Sequence, residues 1–343
     1  MKKRKNDINT KLDDYISTAN IEENWGLKVK KAKQVRSIAK IETNKGTFAL
    51  KKVDYQPQNL HFIYEAQEHL WKNGFQYQPR WLVTNSGLPF VQSPDENFYF
   101  LNTWINGKES DVKNYKQLKE IMRLQANLHQ YSQGFTPSHN AMIKTKWDQW
   151  DMKYESYVRK FKNQFNEVKL QPESPLGSVF LETAEGFIEM AEEGKELFHT
   201  STYPEVLNQA IAQKGFVHGD IAYHNLICSK DRKINVIDFD YCSQNLRIHD
   251  LARFLQNVMR RSDWDSVLNL SLLRAYHEVN PLSEAELKIL KAVMHQSKRY
   301  LRTFKRGYIT KRYTSEKAID FMVEEAKALD KRKKYLESFP TKL

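Results

Sequence analysis

The sequence predicts an α+β chain in two parts: a small antiparallel-sheet lobe carrying one helix, and a larger, mostly helical lobe. Three observations predict it. Trp25 to Val53 alternates apolar and polar residues and carries a turn signal at Asn44-Lys45-Gly46. From Tyr115 the period changes, and Leu118, Ile121, Met122, Leu124 and Leu128 recur at mostly three-and-four spacing. Two short strand-like runs, LIC at 226–228 and INVID at 234–238, then interrupt the helical pattern.

The elements follow in order. VRSIAKIE and TFALKKV flank TNKG and read as a β-hairpin. LHFIYEAQEHLWKNG has helical spacing and stops at Gly74. Further strands are expected at Arg80–Thr84, around Pro89–Phe90, and from Phe98 to Ile105, ending at Asn106-Gly107. The boundary is expected there, giving a β-rich lobe over 1–106 and a helical lobe over 107–343. Helices are predicted near 148–167 and over 177–198, inside an inserted segment of about 137–200 that contains Pro137, Pro172 and Pro175. LIC and INVID form a second hairpin around SKDRK, and after Asp250 the chain reads as helix almost to its end. Two such lobes predict a ligand cleft between them.

Composition sets limits. No apolar run approaches the ~18 residues that span a bilayer. MKKRKNDINTKLDD is basic but has no apolar segment after it, so synthesis in the cytoplasm without a signal peptide is expected. Cys228 and Cys242 make neither a disulfide framework nor a metal motif. The net charge of +12 argues for contact with an anion, whether phosphate, nucleic acid or an acidic polymer.

The chemistry lies in FVHGDIAYHNLI and the VIDFD that follows. A hairpin over LICSKDRKINVID brings Asn225 and Asp238 close, and a carboxylate beside an amide oxygen offers hard ligands to a cation such as Mg²⁺. Asp220, on the loop just before, can orient a hydroxyl and accept its proton. Asp240 stands as a second metal ligand or as a cap on the segment after it. Phosphoryl transfer needs those parts: metal-bound phosphates, an oriented acceptor and little covalent work by the protein.

HGDIAYHN followed by IDFD resembles the catalytic and metal-binding loops of the protein-kinase-like superfamily, in its aminoglycoside phosphotransferase and choline kinase branch. Ala49-Leu50-Lys51 resembles the third-strand A-x-K of that superfamily, and Glu65 its ion-pair partner, with Glu68 one turn away as the competitor. YFLNTWINGKE resembles the strand and hinge, and Asp250-Leu251-Ala252-Arg253 the segment that braces the catalytic loop. Within the branch, the combination GTFALKK, WKNGF, HGDIAYHN, IDFDYC and DLARF is similar to the bacterial spore coat kinase-like family.

The resemblance implies a two-lobed protein-kinase-like fold binding ATP, or another purine nucleotide, with Mg²⁺. It gives Asp220 as the catalytic base, Asn225 and Asp238 as metal ligands, and Lys51 held by Glu65 on the phosphates. Thr103, Trp104 and Ile105 become the nucleotide hinge, and His218 and Asp250 structural supports. It also implies a small hydroxylated acceptor, a place in the spore coat, and coat proteins or an acidic coat polymer as partners.

The sequence departs from the pattern in places. The first hairpin has no G-x-G-x-x-G, and Ala222 stands where relatives carry Lys or His, so one positive group near the transferred phosphate is missing. IDFDYC is not D-F-G and no A-P-E follows, which speaks against a protein substrate. A slow enzyme or an inert coat component both accommodate these facts. Trp147, Trp150, Tyr154 and Tyr157 suit either an acceptor site or the core of added helices. Lys298–Arg312 carries seven basic residues among Tyr300, Phe304 and Tyr308. A solvated amphipathic helix is the preferred reading, ahead of a polyanion-binding surface or a single-stranded nucleic-acid groove.

Overall fold

A computed structural model describes residues 12–94, 96–170 and 174–343. The first eleven residues, most of the basic segment judged for a signal, lie outside them, as does Pro172. The chain divides into two compact units. One comprises the chain up to Asp111 with Tyr131–Lys144 and His218–Ser243; the other comprises Val112–Gln130, Thr145–Val217 and Gln244–Leu343. The HGD loop and the IDFD segment thus belong to the unit that holds the N-terminal sheet.

In that unit, α1 (Ile21–Trp25) precedes β1 (Val29–Val35), β2 (Ile38–Thr43) and β3 (Gly46–Val53). Then come α2 (Pro57–Lys72), β4 (Trp81–Leu82), β5 (Val91–Gln92) and β6 (Phe98–Thr103). The antiparallel sheet runs β1-β2-β3-β6-β4, with β5 pairing β6. VRSIAKIE is not one strand: the chain turns at Arg36 and Ser37, with Val35 opposite Ile38 and Arg36 in the left-handed region at φ 54°. The short β4 and β5 lie within two residues of the strands expected there.

Alternation along β3 decides which lysine faces which way. Phe48 and Leu50 join the buried cluster with Ile41, Tyr99 and Leu101, and Lys52 lies over the Tyr99 ring at 5.5 Å. Ala49 and Lys51 therefore take the other face. Proline at its first turn sets the start of α2, and Gly74, at φ 102°, supplies the left-handed exit.

A second sheet pairs β7 (Gly107–Glu109), β8 (Leu226–Ser229) and β9 (Ile234–Val236) in that order. The β8–β9 hairpin was legible; β7 was not, since GKE has no strand character of its own. Gly107 is required there, because a Cβ would sit 2.3 Å from the Cys228 carbonyl oxygen.

The other unit is helical, with α3 (Tyr115–Tyr131), α4 (Trp150–Leu170), α5 (Pro175–His199), α6 (Tyr203–Gln213), α7 (Ile248–Met259) and α8 (Ser266–His277). It continues with α9 (Glu284–Met294), α10 (Lys298–Tyr308), α11 (Ser315–Lys327) and α12 (Leu329–Glu337). Asp265 caps α8, and Ser283 with Glu286 forms a capping box on α9. The aromatics of the inserted segment build the core. Tyr154 stacks on Phe198 at 4.2 Å, Trp150 donates to Asn245, and Tyr157 is buried. Among the described residues no helix is long and apolar enough to cross a membrane.

Candidate active site

A cavity of about 320 Å³ opens in the sheet unit, and its lining includes Ala49, Lys51, Phe100, Asn225, Asp238 and Asp240. Three stretches far apart in sequence meet there, and each is placed by a backbone constraint. Lys51 arrives because β3 alternates. Asn225 and Asp238 arrive because β8 and β9 pair, and the Ile237 N–H donates to the Asn225 carbonyl at 2.9 Å. Asp238 is in the left-handed region at φ 69°, which aspartate tolerates better than most residues.

The loop before β8 is anchored by His218, which is fully buried. Its Nε2–H donates to the Ile237 carbonyl at 3.0 Å, and its Nδ1 accepts from the Asp220 N–H at 3.2 Å. The ring stands edge-on to Phe239 at 4.7 Å. Gly219 adopts φ 83°, and a Cβ there would lie 2.2 Å from the Tyr241 carbonyl oxygen. Asn225 donates to the Asp220 carbonyl at 3.0 Å and to its carboxylate at 3.3 Å, which steadies Asp220. Because its Nδ2 is committed to Asp220, Asn225 has its Oδ1 left over as an acceptor.

One ammonium is shared by two carboxylates. The Lys51 ammonium donates to Asp238 at 2.7 Å and to Asp240 at 2.5 Å, and the Tyr55 hydroxyl donates to Asp240 at 2.7 Å. Burial by itself would lower the Lys51 pKa, but Asp240 and then Asp238 outweigh it and hold the amine above the ordinary lysine value. For Asp238 burial pushes up, and the Lys51 charge prevails and holds the carboxyl below its usual range. Burial and the bond to Asp240 raise Tyr55.

The expected Lys51–Glu65 pair is not formed. Glu65 accepts from the Ser138 hydroxyl at 2.6 Å and the Ser138 N–H at 2.7 Å, while Glu68 pairs with Arg80. Two carboxylates already satisfy Lys51, and Ser138 offers Glu65 two donors at once. In the stretch expected to form the hinge, the Thr103 N–H donates to the Arg80 carbonyl and the Trp104 N–H to the Thr47 carbonyl. Ile105 follows and also lines the cavity. Asp250 belongs to the helical unit, where it is fully buried and accepts from His129 at 3.2 Å and from His249. Burial works to raise its pKa, and the two histidines outweigh it and hold the carboxyl low.

Sequence reasoning missed Tyr55 and Lys144. Lys144 reaches the Asp240 carbonyl at 3.4 Å and lies over Phe62. Neither carries a sequence signal, since each sits in a polar connection whose path only the folded chain reveals.

The donor set suits a hard divalent cation. Asp238, Asp240 and the Asn225 Oδ1 are oxygen donors, and a cationic group, the Lys51 ammonium, already lies between the two carboxylates. Among the described residues no three His, Cys, Asp or Glu side chains could hold a metal unaided. An ion here would complete its shell with Asn225, water and phosphate oxygens.

Residues 36–287 match the APH phosphotransferase enzyme family. The chain belongs to that family. It is 24% identical to Spore coat protein S of Bacillus subtilis (strain 168) over 267 residues, covering 76% of this chain and 74% of the relative. Its fold is similar to the aminoglycoside phosphotransferase of Alicyclobacillus acidocaldarius, with TM-score 0.79 and 18% identity, over 92% of this chain and 93% of the other. It is also similar to an amicoumacin kinase in complex with AMP-PNP and Ca²⁺, with TM-score 0.63 and 14% identity, over 98% and 97% of the two chains. These likenesses establish the protein-kinase-like fold.

Proposed function

We propose that this member of the phosphotransferase family transfers a phosphoryl group from ATP to a small hydroxylated acceptor, and that it serves in the spore coat. The observation that carries the reading is the convergence of Lys51, Asn225, Asp238 and Asp240 on one cavity beside the loop that holds Asp220. In this reading Thr103–Ile105 flank the purine, Lys51 leaves the carboxylates for the nucleotide phosphates, and Asp220 orients the acceptor hydroxyl and takes its proton. Asn225, Asp238 and Asp240 would hold Mg²⁺, whose charge offsets that of the phosphates. The coat assignment rests on the likeness to Spore coat protein S.

A second reading, a coat component with weak turnover, is favoured by Ala222, a buried methyl where a cation would stabilise the transferred phosphate. One comparison separates the two. Asp220→Asn keeps the shape and hydrogen bonds and removes the charge. For an enzyme, phosphate transfer in an acceptor screen falls at least ~10²-fold while melting temperature and Mg·ATP affinity hold. Transfer that survives at full rate sinks the assignment of Asp220. Absence of any acceptor-dependent transfer in the wild type supports the scaffold.

A further inference from the structure

The helical unit has a concavity of its own, about 250 Å³, formed by α10 and the turn after it. Its origin is the segregation of α10 into two faces. Tyr300, Leu301 and Phe304 are buried, with Phe304 stacked on Phe180 at 3.8 Å and Tyr300 on Phe187 at 4.2 Å. Packing the rings inward turns the basic residues outward together. Lys298, Arg302, Lys305 and Arg306 line the concavity, and the turn brings Arg312 back to them.

No counter-charge meets them. Among the described residues, Lys298, Arg302, Lys305 and Arg312 have no carboxylate within ion-pair distance, and Arg306 is bonded to the Tyr313 hydroxyl instead. The neighbouring charges are positive as well. Partial burial in the concavity, with Lys153 and Arg253 beside it, pushes the Lys298 amine down to about 8, though solvent still reaches the side chain. Burial, then Arg306, Arg253 and Arg299, lowers Arg302 too. On the floor, the Tyr157 hydroxyl, close to the Ser297 backbone, makes no well-formed hydrogen bond among the described residues.

We propose that this concavity binds a compact oligophosphate anion, through the forked guanidinium groups of Arg302, Arg306 and Arg312 with Lys298 and Lys305 beside them. Guanidinium forks match the oxygen geometry of phosphate, and an entering polyanion removes the mutual repulsion of the cations. Nucleic acid is the less suitable occupant, because Tyr300 and Phe304 are turned into the core and Tyr308 is stacked on Phe304. The concavity shares no lining residue with the nucleotide cavity, so the inference stands whether or not the chain transfers phosphate.

The test is calorimetric titration of the full chain with inorganic tripolyphosphate at fixed ionic strength. Inorganic phosphate, single-stranded DNA and poly-glutamate serve as parallel probes. The expected result is saturable tripolyphosphate binding that weakens steeply with salt and falls at least ~100-fold in Arg302→Gln/Lys305→Gln/Arg306→Gln. Should that variant fold poorly, Lys305→Gln alone loses about 10-fold, and Arg302→Lys, which keeps the charge and removes the fork, weakens binding measurably. Tripolyphosphate binding that is absent, or equal in wild type and these variants, overturns the site. Equal affinity for monophosphate, or tighter binding of DNA or poly-glutamate, overturns the ligand class.

Discussion

Lys51 and Asp238 are 187 positions apart in sequence and 2.7 Å apart in the folded chain, with Asp240 sharing the same ammonium. One cation thus bridges two carboxylates that line the cavity. Lys51→Met strands those charges. Because Asp238 is partly exposed, the loss at pH 7 should be about 1–2 kcal/mol rather than the full value for a buried pair. A depressed carboxyl pKa contributes stability above the unfolded pKa, near 4, and loses it as pH falls through the folded value. The gap between wild type and variant should therefore persist at pH 5 and narrow as pH falls below about 4. It should also narrow on adding Mg²⁺ at pH 7, where the ion takes over the missing charge. Melting curves under these conditions check it, and an unchanged gap in Mg²⁺ argues against a cation site there.

Glu65 is engaged by Ser138 and not by Lys51. Glu65→Ala should cost about 1–2 kcal/mol by releasing the two donors of Ser138 and leave Mg·ATP affinity within about 3-fold, since that is under one kcal/mol of binding. Lys51→Met should lower the same affinity at least ~10-fold, for loss of a charge-assisted contact. Parallel losses in the two variants, measured by calorimetry, would mean that nucleotide binding draws Glu65 onto Lys51.

Gly219 meets the Tyr241 backbone, which cannot move aside as a side chain can. Gly219→Ala should cost about 3 kcal/mol or more, combining a positive φ with a backbone clash. Gly87→Ala is the control: φ is 80° but nothing lies within 4 Å, so only the conformational cost of about 1 kcal/mol applies. Similar melting temperatures for the two variants would remove the close approach as the reason for glycine at 219.

His295 gives a pH dependence in the helical unit. Its Nδ1–H donates to the Lys291 carbonyl at 2.8 Å, and burial, with Arg332 and Lys291 nearby, lowers its pKa to about 4. The unfolded chain protonates this histidine near 6.5 and the folded chain does not, so stability falls as pH drops from 7 toward 4. The contribution should reach about 2 kcal/mol by pH 5. His295→Gln cannot titrate, so its stability should fall less than that of the wild type between pH 7 and pH 5. Equal losses would assign the pH dependence to other groups.

Much of this protein could be read before folding. Period-two alternation marked β2 and β3, because side chains on a strand must alternate faces, and the likeness to an A-x-K strand picked out Lys51. The spacing of His218, Asp220, Asn225 and Asp238 pointed to a loop and hairpin, because only a tight turn brings such residues together over so few positions. These are local constraints, carried by neighbours in sequence. The choice of partners at long range was not local. Glu65 and Glu68 look alike along their helix, and which donors stand opposite them depends on where residues 80 and 138 arrive. The strand at Gly107–Glu109 exists because Leu226–Ser229 presents a free edge to it. Whether the rings of α10 face the core or solvent could not be decided from composition, since a basic aromatic stretch suits both. Phe180 and Phe187, more than a hundred positions away, settled it by stacking against Phe304 and Tyr300, and so left the cations of that helix gathered on one outward face.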